Sequence, residues 1–585
     1  MAVVPLHDQD IARLGAAETG AGGRLVSPVR LEEGNWTWHV LPGFLDEFRR
    51  QQPALLAALE GGEGERVKHG KHRTVFALPG DAPRLYVKLY RVADGRARLN
   101  RWLLGPRAGR EWKLTQEVLR RGVPTLRPIA WAVRGGLLGG ESCLVTIAEP
   151  GADQLDKLLI EDAPECGPCL RTRSSPEQRR TLIAALAQLI ARAHRVGVDH
   201  GDLHAGNVLV RIGPNGPELL LIDLLACRLS SGPLSRRRCW QNLLCLGVSV
   251  LKYTTPFERY AFLREYLRHW PEWGAEPRAV ARKLEAALWE AARRAWWKRD
   301  EQCVRENRRF YFMWEKNALT FAVRALPRHV ARRMAEIPGL LLADGKLLKE
   351  SPSTRVVRTG VGLFGEERQV LWKEFRPKSW MDRVRASLYR TPAMRSWRGA
   401  HVLQHRGLPT PDALMLVETC QKFWPDASYL LTEYVPDSAT LAAYVAEQLR
   451  HNPGELRWRR ELTERLARIV RYMHQCCVSH RDLKFSNWLV VADRDGTIRR
   501  ILIIDLAGVQ VWRRLPKRRI VQNLARLWIS AQSNGCGSPT DALRFLRTYL
   551  PRREFERGWK RWWRSIQKFA HTKVQQNKSA GRVLS

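Results

Sequence analysis

One short stretch of this chain occurs twice, and that repetition constrains the fold more than any other feature of the sequence. His200-Gly201-Asp202-Leu203-His204-Ala205-Gly206-Asn207 returns as His480-Arg481-Asp482-Leu483-Lys484-Phe485-Ser486-Asn487. The surroundings return with it. After the first stretch, Val208 to Ile212 and Leu219 to Ile222 read as two short strands joined through Asn215-Gly216, and Asp223 follows directly. After the second, Trp488 to Val491 and Ile501 to Ile504 are joined through Asp495-Gly496, and Asp505 follows. Asn-Gly and Asp-Gly favour hairpin turns because both residues tolerate positive φ.

Further landmarks keep the same spacing. Lys373 lies 285 residues after Lys88, and Trp397 lies 285 residues after Trp112. A Gly-x-Pro-Thr follows each tryptophan, beginning at Gly122 and Gly407. His480 lies 280 residues after His200, and Gln522-Asn523-Leu524 answers Gln241-Asn242-Leu243. Offsets this steady mean one domain duplicated in tandem. The reading is a loose leader over 1–30, a first domain over 31–335 and a second over 336–585, with the change near Pro338-Gly339.

The repeated residues suit phosphoryl transfer. Asp202 and Asp482 can accept or orient the proton of an attacking hydroxyl, and an amide five residues later, Asn207 or Asn487, can help hold magnesium. Asp223 and Asp505 would bind the metal and bridge the phosphates of ATP. Lys88 sits on an alternating strand, Leu85 to Tyr90, where a cation would neutralise the α- and β-phosphates; Lys373 repeats it. Glu111, on a helix read from Glu111 to Arg121, is the candidate partner that aims Lys88, with Glu117 on the same helix as the alternative. Ser396 occupies the place of Glu111 in the second copy, so Lys373 lacks its expected partner. Neither copy has a G-x-G-x-x-G loop; Gly70, flanked by Lys68, Lys71 and Arg73, is placed to cradle phosphate instead. His204 and Lys484, two residues after the aspartates, are expected to reach the γ-phosphate, whereas His200 and His480 are expected to bind backbone.

A helix is predicted from Pro176 to Arg195, with Ser175 as its cap, Pro176 at its first position and Gln178 closing a capping box. Leu144 to Pro150 reads as a strand between lobes, and helical segments are expected up to about 325. Eleven cysteines in 585 residues do not suggest a disulfide framework, and Cys166-Gly-Pro-Cys169 reads as two loop thiols. With no signal-peptide layout and no long apolar run, the chain is expected in the cytoplasm, free or on a membrane face. The formal charge of +39 asks for an acidic partner: nucleic acid, an anionic membrane surface, or a substrate bearing phosphate or carboxylate.

With these residues in hand, the chain resembles the kinase-like superfamily and, within it, the bacterial lipopolysaccharide kinase family, the Kdo and heptose kinases of the core oligosaccharide. The resemblance rests on Lys-His-Gly-Lys-His-Arg (68–73), Tyr-Val-Lys-Leu-Tyr (86–90), Arg-Glu-Trp (110–112), Gly-Val-Pro-Thr (122–125), the loop at 200–207 and Ile-Asp-Leu (222–224). In the second copy it rests on Trp-Lys-Glu-Phe (372–375), Arg-Ser-Trp (395–397), Gly-Leu-Pro-Thr (407–410), HRDLKFSN and Ile-Ile-Asp-Leu-Ala-Gly (503–508). It implies an α+β chain of two tandem protein-kinase-like bilobal domains, each with a small β-rich N-lobe and a larger helical C-lobe. It also implies ATP and Mg2+ as cofactors and a sugar hydroxyl of the lipopolysaccharide core, or a similar anionic glycolipid, as acceptor. The protein would then work peripherally on the cytoplasmic face of the bacterial inner membrane, where its charge meets an anionic leaflet. Two alternatives remain: an atypical protein kinase, prompted by HRDLKFSN but lacking an Ala-Pro-Glu after Asp505, and a partly pseudokinase scaffold for anionic glycolipid. A nucleic-acid partner ranks last, since no recognition motif supports it.

Overall fold

The computed structural model describes residues 27–579 except 62–64, 71, 79–83, 93, 136–139, 163–166, 168–172, 275, 316, 364–365, 378, 422–423, 452–453 and 455. The chain divides into two compact units. The first comprises residues 1–162, 173–250 and 255–285, and the second comprises 163–172, 251–254 and 286–585.

The first unit opens with strands β1 (Val29–Glu33) and β2 (Trp36–Val40) and helix α1 (Leu45–Glu60). Then come β3 (Glu65–His69), β4 (Arg73–Ala77), β5 (Leu85–Tyr90), α2 (Arg107–Arg120), β6 (Pro128–Arg134) and β7 (Ser142–Ile147). The strands form one antiparallel sheet in the order β1-β2-β6-β7-β5-β4-β3. One face carries Trp36, Trp38 and Val87 against Phe48 of α1, the other carries Leu144 beside Lys88 on the side of α2, and all join one buried cluster with Trp112. Alternation in β5 explains the geometry: Leu85, Val87 and Leu89 enter the core, which leaves Lys88 on the opposite face.

The helical part of this unit holds α3 (Pro176–Arg195), the hairpin β8 (Val208–Gly213) and β9 (Gly216–Leu221), α4 (Arg236–Val250) and α5 (Pro256–Arg268). The capping box of α3 forms as the sequence requires: Gln178 N–H donates to Ser175 Oγ at 3.1 Å, and Ser175 N–H donates to Gln178 Oε1 at 2.8 Å. Helix α6 (Pro277–Asp300) follows.

The second unit repeats the plan. Its sheet contains β10 (Phe310–Glu315), β11 (Ala318–Val323), β12 (Lys346–Ser351), β13 (Thr354–Leu363), β14 (Glu366–Phe375), β15 (Ala413–Gln421) and β16 (Trp424–Glu433). Their order, β10-β11-β15-β16-β14-β13-β12, matches that of the first sheet strand for strand. Helix α7 (Pro392–Arg406) stands where α2 stands, and Trp397 is as buried as Trp112. The helical part carries α8 (Leu456–Gln475), the hairpin β17 (Trp488–Ala492) and β18 (Ile498–Ile503), α9 (Lys517–Ser533) and α10 (Pro539–Tyr549). The expected α+β class, a bilobal unit used twice, is what the chain adopts.

Three expectations are corrected. The change-over near 335 falls inside the second unit, because β11 pairs with β15 from Ala318–Thr419 to Ala322–Met415. The residues up to 325 are therefore not all helical: Phe310 to Glu315, with Tyr311 to Trp314 alternating between core and solvent, close a hairpin with Ala318 to Val323. Residues 29 and 30, assigned to a loose leader, already belong to β1. Cys166 and Cys169 lie outside the described residues.

Candidate active site

In the first unit Lys88 and Glu111 meet. Lys88 Nζ donates to Glu111 Oε1 at 2.7 Å, and the Tyr90 hydroxyl donates to Glu111 Oε2. Glu111 is 1% exposed, so two donors converge on a carboxylate that water scarcely reaches. Burial, then the charge of Glu111, holds the Tyr90 phenol well above its usual range, so it stays protonated as a donor. The alternative, Glu117, is taken by Arg120 and Arg121 on its own helix and at its end.

The loop after α3 places the other groups. Asn207 Nδ2 donates to the Asp202 carbonyl at 2.9 Å, which turns the amide oxygen outward as an acceptor. His200 Nε2 donates to the Ile222 carbonyl at 3.0 Å, and burial lowers its pKa, so it acts as a neutral tie within the loop. Asp223 follows β9 in a left-handed conformation (φ 64°), an uncommon backbone state for a residue other than glycine. Its carboxylate accepts from Arg73 of β4 at 2.6 Å. Burial would pull Arg73 down, but Asp223 more than offsets it, and the guanidinium ends above its ordinary value. His204 Nε2 lies 3.8 Å from Asp202 Oδ2. Gly70 joins β3 to β4, its carbonyl accepting from Arg73 N–H at 3.3 Å; Lys71 lies outside the described residues.

The second unit builds the same loop frame and differs on the side of the sheet and α7. Asn487 Nδ2 donates to the Asp482 carbonyl at 2.8 Å, His480 Nε2 donates to the Asp505 carbonyl at 3.0 Å, and Asp505 is again left-handed (φ 58°). Lys484 Nζ lies 3.7 Å from Asp482 Oδ2. Ser396, buried at the Glu111 position, spends its hydroxyl on the Pro392 carbonyl of its own helix at 2.9 Å. Lys373 instead reaches Asp505 Oδ1 at 3.5 Å. Burial lowers its pKa, and Asp505 offsets part of that shift.

Sequence reasoning passed over several residues here. Tyr90 was visible only as an aromatic neighbour of Lys88. Arg73, expected among the cations around Gly70, sends its side chain to Asp223. Ser249 and Ser530 hold the two repeated loops from behind, each Oγ accepting a backbone N–H, from Ala205 and Phe485, at 2.9 Å. They stand seven residues after Asn242 and Asn523, so the repeat spacing could have found them.

The family model of the lipopolysaccharide kinase (Kdo/WaaP) family matches residues 62–266 and again 343–549. The chain belongs to that family. It carries two copies of the family's domain, and the duplication seen in the loop spacing is a duplication of this domain. The chain is similar to the lipopolysaccharide core heptose(I) kinase WaaP of Pseudomonas aeruginosa, 31% identical over 215 residues, which covers 36% of this chain and 78% of that relative. It is 29% identical over 160 residues to the heptose(I) kinase WaaP of Escherichia coli, covering 27% of this chain and 60% of the relative. It is 33% identical over 160 residues to a 3-deoxy-D-manno-octulosonic acid kinase of Xanthomonas axonopodis, covering 27% of this chain and 55% of the relative. The chain thus spans little more than half the length of the latter two. A solved structure of WaaP in complex with acyl carrier protein aligns with 46% of this chain and 99% of its own, at 22% identity and a TM-score of 0.32.

Proposed function

We infer that the chain is an ATP-dependent kinase that phosphorylates a sugar hydroxyl of the lipopolysaccharide core. The observation that carries this reading is the first-unit constellation of Lys88 on Glu111, Asn207 tied to Asp202, and left-handed Asp223 in a domain of this family. Heptose(I) and 3-deoxy-D-manno-octulosonic acid kinases among its relatives support a core sugar as acceptor.

In this reading Asp202 receives the hydroxyl proton as the sugar oxygen bonds the γ-phosphorus, the bridging P–O bond breaks and ADP departs. Lys88, held by Glu111, would neutralise the α- and β-phosphates, and the Gly70 turn with its neighbouring cations is the candidate to meet them. His204 stands beside Asp202 for the γ-phosphate. Asn207 and Asp223 offer hard oxygens, the donor set that Mg2+ takes together with substrate phosphates. In the second unit Asp482, Lys373, Lys484, Asn487 and Asp505 take the corresponding roles. Among the described residues no helix is long and apolar enough to cross a membrane. A basic surface of this size supports peripheral attachment to an anionic leaflet.

A competition assay tests the reading against a protein kinase. The full chain is given Mg-ATP with dephosphorylated core oligosaccharide and a generic protein acceptor in one mixture. Phosphate recovered on the sugar supports it; phosphate on serine or threonine hydroxyls and none on sugar refutes it.

A further inference from the structure

Duplication makes each unit a control for the other. Ser249 in α4 and Ser530 in α9 align the two, since each makes the same 2.9 Å bond to its catalytic loop. One turn earlier stand Cys245 and Arg526. Arg526 faces the aspartate of its own loop, and Cys245 stands half-buried at the matching place. Burial, then the charge of Asp202, raises the Cys245 thiol, while an Arg526 guanidinium nitrogen lies 3.8 Å from Asp482 Oδ1.

Three neighbouring positions change in the same sense. His204 is replaced by Lys484, 3.7 Å from Asp482, and Gly201 by the exposed Arg481. Buried Asp199, which pairs with Arg238 at 3.5 Å, is replaced by Ser479, whose Oγ takes the Trp512 indole N–H at 2.9 Å. The counterpart of Arg238, Arg519, lies over the Trp512 ring at 5.5 Å. Each change makes the second unit more positive beside its aspartate.

The sheet side does not follow. By strand register Thr354 takes the place of Arg73, and by repeat spacing Ser396 takes that of Glu111, while Pro352-Ser353 stands in the sequence where Gly70-Lys71-His72 does. The added cations are concentrated on the helical side, around the group that meets the acceptor. Burial and the charges of Arg481 and Arg519 work against the Arg526 guanidinium, with Asp482 opposing them. An anion beside Asp482 would relieve that crowding.

We propose that the second unit binds an acceptor carrying a carboxylate or phosphate next to the hydroxyl served by Asp482, with Arg526 reading that anion, while the first unit takes an acceptor neutral at that place. This rests on the core-sugar kinase reading. A sugar phosphate made by the first unit belongs to the class the second would accept.

The test uses the full chain with Asp202→Asn, which leaves transfer to the second unit, and with Asp482→Asn, which leaves it to the first. Each is assayed with core oligosaccharide as isolated, phosphatase-treated, or carboxyl-reduced, so the arms separate phosphate from carboxylate. For the Asp202→Asn enzyme, removing the anion should raise the acceptor KM at least about tenfold, the order of a lost charged hydrogen bond. Adding Arg526→Cys should raise it equally with the anionic acceptor, Arg526→Lys much less, and the KM for ATP should not move. The Asp482→Asn enzyme should be indifferent to acceptor charge. The inference is overturned if Arg526→Cys leaves the acceptor KM unchanged, or if the Asp202→Asn enzyme transfers nothing while the Asp482→Asn enzyme works. Absence of transfer to sugar by the unaltered chain would instead overturn the core-sugar reading and this inference with it.

Discussion

Replacing Glu111 with serine, the residue the second copy carries at that place, strands two donors at once. Lys88 Nζ and the Tyr90 hydroxyl both end on this carboxylate, and the Lys88 and Glu111 side chains are only 12% and 2% exposed. Removing one partner of a buried ion pair costs about 3–5 kcal/mol, because the remaining charge is left uncompensated. Lys88 retains some contact with water, which places the expected loss near the lower end, about 3 kcal/mol. The catalytic effect is separate. A lysine no longer aimed at the phosphates misplaces the transferring group, and a displacement of about 1 Å costs about 100-fold in rate. The assay is initial-rate phosphate transfer in an Asp482→Asn background, so that only the first unit contributes, with thermal unfolding measured in parallel. Glu111→Gln separates the effects by keeping an acceptor of the same shape without the charge. If Glu111→Ser stays within about threefold of its parent in kcat/KM and melts at the same temperature, the pair neither aims Lys88 nor stabilises the unit.

Two further outcomes follow from buried ionic and imidazole groups. Asp300 accepts from Arg406 Nη1 and Nη2, both at 2.8 Å, and Arg406 is 1% exposed, so Asp300→Ala should destabilise the second unit by about 3–5 kcal/mol in denaturant titration; an unchanged midpoint would refute this. His194, bonded to the Tyr266 hydroxyl at 2.9 Å, is pulled by burial from 6.5 to about 4. Its folded pKa lies below its unfolded one, so the unfolded chain gains the proton first and stability falls as pH drops from about 6.5 toward 4. Between pH 7 and pH 5 the loss should be about 2 kcal/mol from this residue, and His194→Gln should remove that share; an equal acid sensitivity in the variant would contradict it.

Local spacing made the repeated loops legible. An aspartate, an asparagine five residues on, a tight hairpin and a second aspartate are close in sequence because they are close in space. The boundary between the units was not legible for the opposite reason. β11 completes a sheet through β15, about ninety residues later, and no local pattern records that pairing. The choice between Glu111 and Glu117 could not be made from the helix alone; burial against β5 and the arginines at the helix end decide it. Arg73 and Arg526 were hidden by topology. One reaches Asp223 from a strand 150 residues earlier, and the other faces Asp482 from a helix behind the loop. Ser396 was legible from the repeat, but its consequence, Lys373 turning to Asp505, needed three dimensions.

Phosphate transfer by the unaltered chain, Asp202→Asn, Asp482→Asn and the double variant, each with Mg-ATP and core oligosaccharide, tests the central claim most directly. Mass spectrometry of the sugar product reports where phosphate goes. The expected result is phosphorylated sugar from the unaltered chain, loss of the product on an uncharged acceptor in Asp202→Asn, and no product from the double variant. Phosphorylated sugar from the double variant at the unaltered rate, or none from the unaltered chain despite bound ATP, would contradict it.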